Sequence, residues 1–496
     1  MGIVRRQSIN SSIFIYLGFV LGAFNMWLLP KILTAEQFGL VRVLISVCTL
    51  LAGLCSLGTQ QVVTRFYPYY DTRMGKHKND LLGWTLMISL VGFSLMVLLT
   101  FIFRDLIIRK FEGKSPLFID YFFLIYPLTF FILLFGLYER IAWSKQLTVM
   151  SNFLRETGVR IFVVLIVLLL AVRWISFGGF IIAYSLQFGV VFLILYAYLT
   201  HYKGTHLTIR PSPVTRQMYR QMGTYAGYIF GGSLFMLVEQ YFNTILLGSR
   251  ESLGAAGIFD IAFAMATFLL VPKRSVQAAA SASIAQAWKE GDTERINRLY
   301  RKSAATLLIM GIFILGLIWL NIDHIFDLYK PEYRSGKYVV LLVALANLID
   351  LATGLNYDIL VNSKLWRIHF ILSVTLVALF LPVTYLFVRA YGMMGSAYGI
   401  LLSIFTYNVA RCLLLWWRLH LQPFTGRTGW ILLTGATAYL VAGRLLPPLP
   451  GIFVDIVVRS GLFSLIIAVG VLGGRLSEDV TELYHMALSK LKIRRP

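Results

Sequence analysis

The chain has 496 residues, of which 58% are hydrophobic and only 14% are charged, and its mean hydropathy is +0.74. A soluble domain carries about 25% charged residues, so the composition excludes a soluble protein and indicates an all-α polytopic membrane protein. The formal net charge is +22. Much of this excess lies in connections and at span ends, and we expect no nucleic-acid partner.

About fourteen apolar runs follow one another along the chain, each about 20 residues long and so able to cross a bilayer. We predict spans at 9–30, 38–64, 81–103, 118–142, 150–172, 178–200, 223–248, 256–284, 303–322, 336–360, 368–388, 392–416, 429–447 and 452–474. The connections between them leave no room for a soluble catalytic domain. With the N-terminus inside, most of the 45 Lys and Arg residues lie on the cytoplasmic side, which predicts that both termini are cytoplasmic.

An internal repeat relates the two halves of the chain at a shift of 218 residues. The matches, in order, are Asn25 with Asn243, Gly39 with Gly257, Gly136-Leu137 with Gly354-Leu355, Ser144-Lys145 with Ser363-Lys364 (one more residue of offset), and FGGFIIAY at 177–184 with YGMMGSAY at 391–398. Six spans in each copy keep both copies in the same orientation. The repeat therefore predicts two six-helix lobes related by a parallel pseudo-two-fold axis.

The repeat also predicts the domain organisation. Residues 1–202 form the first lobe, 203–222 a basic cytoplasmic linker and 223–420 the second lobe. Two further spans lie within 421–475, outside the repeat. The tail 476–496 has apolar residues at helical spacing, which predicts an amphipathic helix on the inner membrane surface.

The stretch LLVPKRSVQ at 269–277 places Lys273 and Arg274 side by side within a predicted span. A charged side chain at the bilayer centre costs about 2.5 to 3.5 kcal/mol on insertion scales. Pro272 has no N–H, which predicts a kink or local opening just before the two cations. Two interpretations are open: the cations line a water-accessible cavity, or they snorkel to the inner headgroups from a helix that ends at Pro272.

Polar residues at seven-residue spacing favour the cavity. Because seven residues drift by only about 20° around a helix, such residues share one face. The two stripes are Asp260, Thr267 and Arg274 in the eighth predicted span, and Arg42, Thr49 and Ser56 in the second, with Gln60 on the same face. They coincide under the shift of 218, as expected if both helices face one central cavity.

Other intramembrane polar residues have two interpretations each. Glu239 and Asn243 share a face of the seventh predicted span, and either line the cavity or make interhelical hydrogen bonds. Asp350 and Asp358 are ion or proton sites, or partners of nearby arginines. We expect Arg155, Arg160 and Arg65 to be interface anchors and Arg459 to snorkel.

These patterns define two sets of candidate site residues. The candidate substrate-binding residues are Lys273, Arg274, Arg42, Thr49, Ser56, Gln60, Thr267, Asn25 and Asn243. The candidate coupling-ion residues are Glu239, Asp260, Asp350 and Asp358. The sequence has no GxxxxGK[ST] or H-E-x-x-H motif, and its histidines and cysteines have no metal-ligand spacing, so we expect no catalytic residue, cofactor or metal.

Several segments resemble oligosaccharide flippases of the polysaccharide-transport (Wzx-type) family, within the multidrug/oligosaccharidyl-lipid/polysaccharide exporter superfamily. They are MGIVRRQ before the first span, LPKILTAEQFGLVRVLIS, TRFYP, and AAGIFDIAFAMATFLLVPKRSVQAAASASIAQAWKEGDTERINRLYRKS. The resemblance implies a multi-pass protein of the bacterial inner membrane with a V-shaped cavity. It implies as substrate an undecaprenyl-pyrophosphate-linked oligosaccharide, such as an O-antigen or other surface polysaccharide repeat unit, and as partners membrane lipids and polysaccharide polymerase machinery.

Three alternatives accompany this interpretation. The two spans beyond the repeat resemble the fourteen-helix plan of lipid II flippases. A multidrug cation antiporter would have the same fold, but organic cations favour an acidic cavity and this one is basic. A membrane oligosaccharide polymerase or ligase would need a large external loop with catalytic residues, and the longest external connection is RDLIIRKFEGKSPL.

Overall fold

Helices are the only regular elements in the parts of the chain that the computed structural model describes, which are residues 2–73, 79–202, 207–447, 450–474 and 476–477. Side chains are described from Phe14 onward. The predicted tail helix lies outside the described residues except for its first two positions. The predicted all-α fold class is confirmed.

The first of two compact units comprises Met1–Gly257. Its helices are α1 Gly2–Ile32, α2 Ala35–Cys55, α3 Thr59–Arg73, α4 Leu81–Ile102, α5 Arg104–Phe111, α6 Pro116–Asp120, α7 Ile125–Ser144, α8 Thr148–Asn152, α9 Val159–Ala171, α10 Phe177–Ala197 and α11 Pro213–Arg250. A π-helical segment, Phe153–Gly158, joins α8 to α9. The core of this unit is aromatic and aliphatic, with Phe66, Tyr70 and Tyr138 fully or nearly buried.

The second unit comprises Ile258–Pro496, and its first helix begins just before that boundary. Its helices are α12 Leu253–Thr267, α13 Val271–Glu290, α14 Thr293–Leu320, α15 Ile322–Asp327, α16 Lys337–Ala352, α17 Asn356–Asn362, α18 Trp366–Leu419, α19 Gly426–Leu440 and α20 Ile452–Gly473. Helices α19 and α20, the predicted addition to the repeat, pack on α14.

Ten helices among the described residues are long and apolar enough to cross a membrane. One of them, α18, has 54 residues and contains the predicted spans 368–388 and 392–416. Gly392 separates these parts with non-helical dihedral angles (φ 54°, ψ −134°). The exact number of fourteen crossings therefore remains a prediction.

Local signals in the sequence explain where several helices begin and end. Thr34 and Gln37 form a capping box at the start of α2, which satisfies two backbone N–H groups that have no helical partner. Gly291 ends α13 in the left-handed conformation (φ 73°), where a residue without a Cβ avoids strain. Asp292 then caps α14 by accepting a hydrogen bond from the Arg295 N–H.

The repeat-related glycines Gly39 and Gly257 pack against each other. A Cβ on Gly39 would lie 1.7 Å from the Leu253 carbonyl oxygen, and one on Gly257 would lie 2.9 Å from the Gly39 nitrogen. Only glycine permits this close backbone approach. The match found in the sequence thus marks equivalent positions that are in contact.

The predicted domain boundaries are not the boundaries of the two compact units. Helix α11 includes the predicted span 223–248, yet it packs on α2 and α3 and belongs to the first unit. Asp80, which is fully buried, accepts hydrogen bonds from the Ser212 N–H and the Thr215 hydroxyl at the start of α11. The division at 202 and 223 concerns the repeat and stays a prediction.

Candidate functional site

The helix that carries the two adjacent cations is interrupted just before them. Helix α12 ends at Thr267, a 3₁₀ turn covers Phe268–Leu270, and α13 starts at Val271 with Pro272 in its first turn. Proline is suited to this position because it lacks the N–H that a helix interior would need. The predicted local opening is confirmed, and it places Lys273 and Arg274 in the first turn of α13.

Lys273 is neutralised by a carboxylate of a neighbouring helix. Its Nζ lies 2.5 Å from Asp350 Oδ2 of α16. The Lys273 and Asp350 side chains are only 16% and 18% exposed. Asp350, a candidate ion site in the sequence, is thus the partner of the intramembrane cation.

A network of polar side chains holds Asp350 from the other side. Asn408 of α18 donates from Nδ2 to Asp350 Oδ1 at 3.3 Å. Its own Oδ1 accepts from the Thr353 hydroxyl at 2.7 Å and from Asn356 Nδ2 at 2.8 Å. All three of these uncharged residues are nearly inaccessible to solvent. Such a satisfied network restricts the position of the carboxylate.

The same face of α13 makes a second contact with a carboxylate. Gln277, four residues after Lys273 and so one turn further along, donates from Nε2 to Asp358 Oδ1 at 2.8 Å. Asp358 lies in α17 and is 7% exposed. Lys273 and Gln277 therefore connect α13 to Asp350 and Asp358, the two acidic residues of the tenth predicted span.

Arg274 differs from its neighbour. Its side chain is exposed, and it makes no ion pair within the described ranges. It is the cation of this pair that remains available to an anion. The choice between a cavity and snorkelling stays open for Arg274, whereas Lys273 is engaged inside the second unit.

The predicted polar stripe of the eighth span crosses the interruption between α12 and α13. A 3₁₀ helix turns by about 120° per residue and an α-helix by about 100°. The three residues Phe268–Leu270 therefore place Arg274 about 40° around the axis from Thr267 and about 20° from Asp260, so these polar residues still share one side. The Thr267 hydroxyl donates to the Ala264 carbonyl at 3.0 Å, and Asp260 is 6% exposed.

The stripe of the second span is also divided. Helix α2 ends at Cys55, and Leu57 and Gly58 have positive φ angles (45° and 77°), so Gln60 belongs to a different helix from Arg42. A Cβ on Gly136 would lie 2.7 Å from Gln60 Nε2, which places Gln60 against α7. The prediction of one continuous face from 42 to 60 is therefore wrong.

The hydroxyl groups of this stripe are satisfied by their own helix. Thr49 donates to the Ile45 carbonyl at 2.6 Å, and Ser56 donates to the Gly53 carbonyl at 2.7 Å. Arg42 is half-buried and lies close enough to Tyr184 of α10 to interact electrostatically with it. Of these residues, Arg42 carries the only charge.

The repeat-related asparagines have different surroundings. Asn25 of α1 donates from Nδ2 to the Arg160 carbonyl at 3.2 Å. Asn243 of α11 is partly buried, and its Oδ1 has no hydrogen-bond partner among the described residues. Glu239, one turn earlier, is exposed. The structure thus supports an interhelical role for Asn25.

Two arginines expected at the membrane surface pair with buried carboxylates, although the Arg155 side chain itself is 49% exposed. Arg155, in the π-helical segment, pairs with Glu139 of α7, whose side chain is 1% exposed. Arg459 of α20 donates to Asp455 Oδ1 at 2.7 Å and to the carbonyls of Ala442, Gly443, Leu446 and Pro447. The snorkelling expectation for Arg459 is wrong, because its charge is fully used within the second unit. Arg160 pairs with Glu156 at 2.7 Å.

The sequence reasoning missed Gln277 and Asn408. Asn408 lies in the middle of an apolar run, which is the signal that could have identified it, since polar side chains in membrane helices mark interhelical contacts. Gln277 lies one turn after Lys273, a spacing that indicates a shared face. Among the described residues, no three His, Cys, Asp or Glu side chains come together as a metal site would require.

A family model described as "Polysaccharide biosynthesis protein" matches residues 4–284. The chain belongs to the polysaccharide biosynthesis protein family. This membership confirms the resemblance found in the sequence segments above. No match was found among curated protein sequences.

Solved structures establish the fold. The chain is similar to the lipid II flippase MurJ in its inward closed conformation, with 14% identity, a TM-score of 0.70, and coverage of 94% of this chain and 98% of MurJ. It is similar to an inward-facing multidrug resistance MATE transporter of the MOP superfamily, with 16% identity, a TM-score of 0.58 and coverage of 84% and 94%. A mutant of the Vibrio cholerae MATE transporter VcmN has 15% identity, a TM-score of 0.52 and coverage of 83% and 94%. This family member therefore has the fold shared by MurJ and the MATE transporters.

Proposed function

We propose that this protein flips an undecaprenyl-pyrophosphate-linked oligosaccharide, a repeat unit of O-antigen or another surface polysaccharide, across the bacterial inner membrane by alternating access. Membership of the polysaccharide biosynthesis family carries the proposal. The fold supports it, because MurJ, which shares that fold, is named as a flippase of lipid II. Both termini are cytoplasmic in this proposal, and a polysaccharide polymerase takes up the product outside.

The chemistry of α13 supports an anionic cargo. A pyrophosphate carries several negative charges, and its transfer into a low-dielectric slab is prohibitive unless cations replace the lost water. Arg274 is an exposed cation in the first turn of α13. Lys273 becomes a second ligand if the cargo displaces Asp350 from it.

The role of Asp350 follows from this exchange. While the site is empty, Asp350 neutralises Lys273 at 2.5 Å, which avoids an unpaired charge in the membrane. An arriving pyrophosphate offers Lys273 a stronger counter-charge. The ion pair with Asp350 thus stabilises Lys273 inside the protein while no substrate is bound.

A multidrug cation antiporter is the second candidate, because MATE transporters share the fold. An organic cation would bind a carboxylate that is free of cations. Asp350 is occupied by Lys273 and does not offer such a carboxylate. A lipid II-type flippase differs from the first proposal only in its sugar, and a polymerase or ligase reaction has no group of residues in the described structure that supports it.

Deletion of the gene tests these alternatives. We expect glycan-linked lipid to accumulate on the cytoplasmic leaflet and the corresponding surface polymer to be lost, with recovery of both on complementation. A strain that instead becomes sensitive to cationic drugs, with normal surface polymer, would establish the antiporter. Arrest of cell-wall synthesis with normal surface polymer would establish a lipid II cargo.

A further inference from the structure

Helix α11 has one face that no other part of the first unit covers. The helix has 38 residues, enough to cross a bilayer, yet it is not among the ten helices that are apolar enough to do so. Arg220, Gln221, Thr224 and Tyr228 are exposed along it, and a Cβ on Gly227 would meet no atom within 4 Å. Because polar residues of membrane helices face water or protein and not lipid, we infer that this face meets water.

Aromatic rings connect this face of α11 to α3. The buried Phe66 ring of α3 lies between two tyrosines: its centroid is 5.7 Å from that of Tyr225 in α11 and 6.1 Å from that of Tyr69 in α3. Tyr69 is exposed and Tyr225 is partly exposed. Tyr228, one turn after Tyr225, is 80% exposed. The buried ring thus supports two of the three tyrosines from below.

Arg65 of α3 adds a cation to these rings. Its guanidinium carbon lies 4.3 Å from the Tyr225 ring centroid and 5.6 Å from that of Phe66. The side chain is exposed and makes no ion pair within the described ranges. Stacking on a ring leaves the N–H groups at the edge of the guanidinium free to donate. The α3–α11 surface thus comprises Arg65, Tyr69, Gln221, Thr224, Tyr225 and Tyr228.

We propose that the α3–α11 surface binds the sugar rings of the transported glycan. One face of a pyranose ring presents C–H groups, whose weak positive charge suits the negative face of an aromatic ring. The sugar hydroxyls accept hydrogen bonds from arginine, and they both donate to and accept from glutamine and threonine. This proposal rests on the proposed function. It assigns the glycan to the first unit, whereas the cations proposed for the pyrophosphate belong to the second.

The neighbours of Tyr228 favour a sugar over a lipid. Exposed tyrosines also form belts at membrane interfaces, and there they are bordered by apolar side chains. Tyr228 has Thr224 one turn before it and Gly231 and Gly232 one turn after it, and a Cβ on either glycine would meet no atom within 4 Å. Small and polar neighbours leave the Tyr228 ring accessible to a flat sugar ring.

Site-specific photocrosslinking in living cells tests the surface. Tyr228→p-benzoylphenylalanine and, in a second strain, Tyr69→p-benzoylphenylalanine are introduced into the full-length chain, and the crosslinked peptides are analysed by mass spectrometry after irradiation. The probe is the lipid-linked glycan that the cells themselves make. We expect adducts whose fragments include sugar oxonium ions. Phe101→p-benzoylphenylalanine in the apolar helix α4, where Phe101 is 72% exposed, is the control and should give phospholipid adducts only.

Substitutions at Tyr228 test whether stacking matters for transport. Tyr228→Ala should lower surface polymer about tenfold at normal membrane abundance, which is the loss expected for one stacked ring. Tyr228→Phe should be mild, because the face of the ring is kept. Equal losses in the two variants would overturn the stacking role, and so would normal surface polymer in the Tyr228→Ala strain.

The crosslinks decide between a glycan and a lipid. Phospholipid adducts without sugar fragments at both Tyr228 and Tyr69 would overturn the proposal and make this surface part of a membrane belt. Sugar fragments at Phe101 in equal amount would show unspecific contact and would also overturn it.

The two proposals fail separately. If sugar adducts form at the tyrosines but the deletion strain keeps its surface polymer, the glycan-binding surface stands and the flippase proposal falls. If the deletion phenotype is present but no sugar adduct forms at either tyrosine, flipping stands without this surface.

Discussion

Removal of one partner of the Lys273–Asp350 pair should destabilise the second unit far more than removal of a surface pair. At 2.5 Å, two unit charges attract each other by about 7 kcal/mol at an effective dielectric constant of about 20. Desolvation of both groups cancels more than half of this. We expect a coupling free energy of about 3 kcal/mol between the two side chains.

A double-mutant cycle measures this coupling. Lys273→Met, Asp350→Asn and the double variant are compared with the parent by reversible unfolding in mixed micelles with increasing SDS. Lys337 and Asp323 supply a matched control with the same residue types at 2.6 Å, but the Asp323 side chain is 71% exposed. Solvent screening should reduce that coupling to under about 1 kcal/mol.

The comparison between the two cycles decides whether burial matters. Equal coupling free energies for the two pairs would refute the argument that the low-dielectric surroundings of Lys273 strengthen its ion pair. A coupling near zero for the buried pair would mean that water reaches it freely. Only the second result would also remove the account of Asp350 as a resident counter-ion.

Three further predictions concern transport and packing. Lys273→Gln combined with Arg274→Gln should abolish surface polymer at normal membrane abundance, while Lys273→Arg is mild; normal transport by the Gln pair would refute an anion-binding role. Gly39→Ala should destabilise the first unit by about 3 kcal/mol, because its Cβ would meet the Leu253 carbonyl, and Gly113→Ala, with open space around it, should be neutral in the same unfolding assay. Arg459→Met should lower the free energy of unfolding by about 3 kcal/mol, because Asp455 Oδ1 loses its charged donor even though His324 remains at Oδ2; Arg389→Met, an exposed control, should not, and equal losses would contradict the buried ion pair.

Prediction from sequence worked where the signal is local. The run around Pro272 predicted an interruption of the helix, and the 3₁₀ turn lies there, because a missing N–H acts on the adjacent turn whatever surrounds it. The repeat match of Gly39 with Gly257 was found in the sequence, and the close backbone approach in the structure explains why both residues are glycine.

Prediction failed where a helix was assumed to continue. The stripe from Arg42 to Gln60 required one unbroken helix, but the chain turns at Leu57 and Gly58 with positive φ angles. Leucine rarely adopts a positive φ, and a Leu-Gly pair in an apolar run gives little warning of a break. The spacing of residues in the sequence therefore could not predict which helix face Gln60 lies on.

The sequence by itself determined that this chain is an all-helical membrane protein of the polysaccharide biosynthesis family with related halves, because hydropathy, helix signals and repeat matches depend on neighbouring residues. Only the tertiary structure decided which charges are paired. Lys273 meets Asp350 and Gln277 meets Asp358 across 77 and 81 residues of sequence. Burial makes each unpaired charge costly, but which carboxylate a cation meets is set by how α13, α16 and α17 pack.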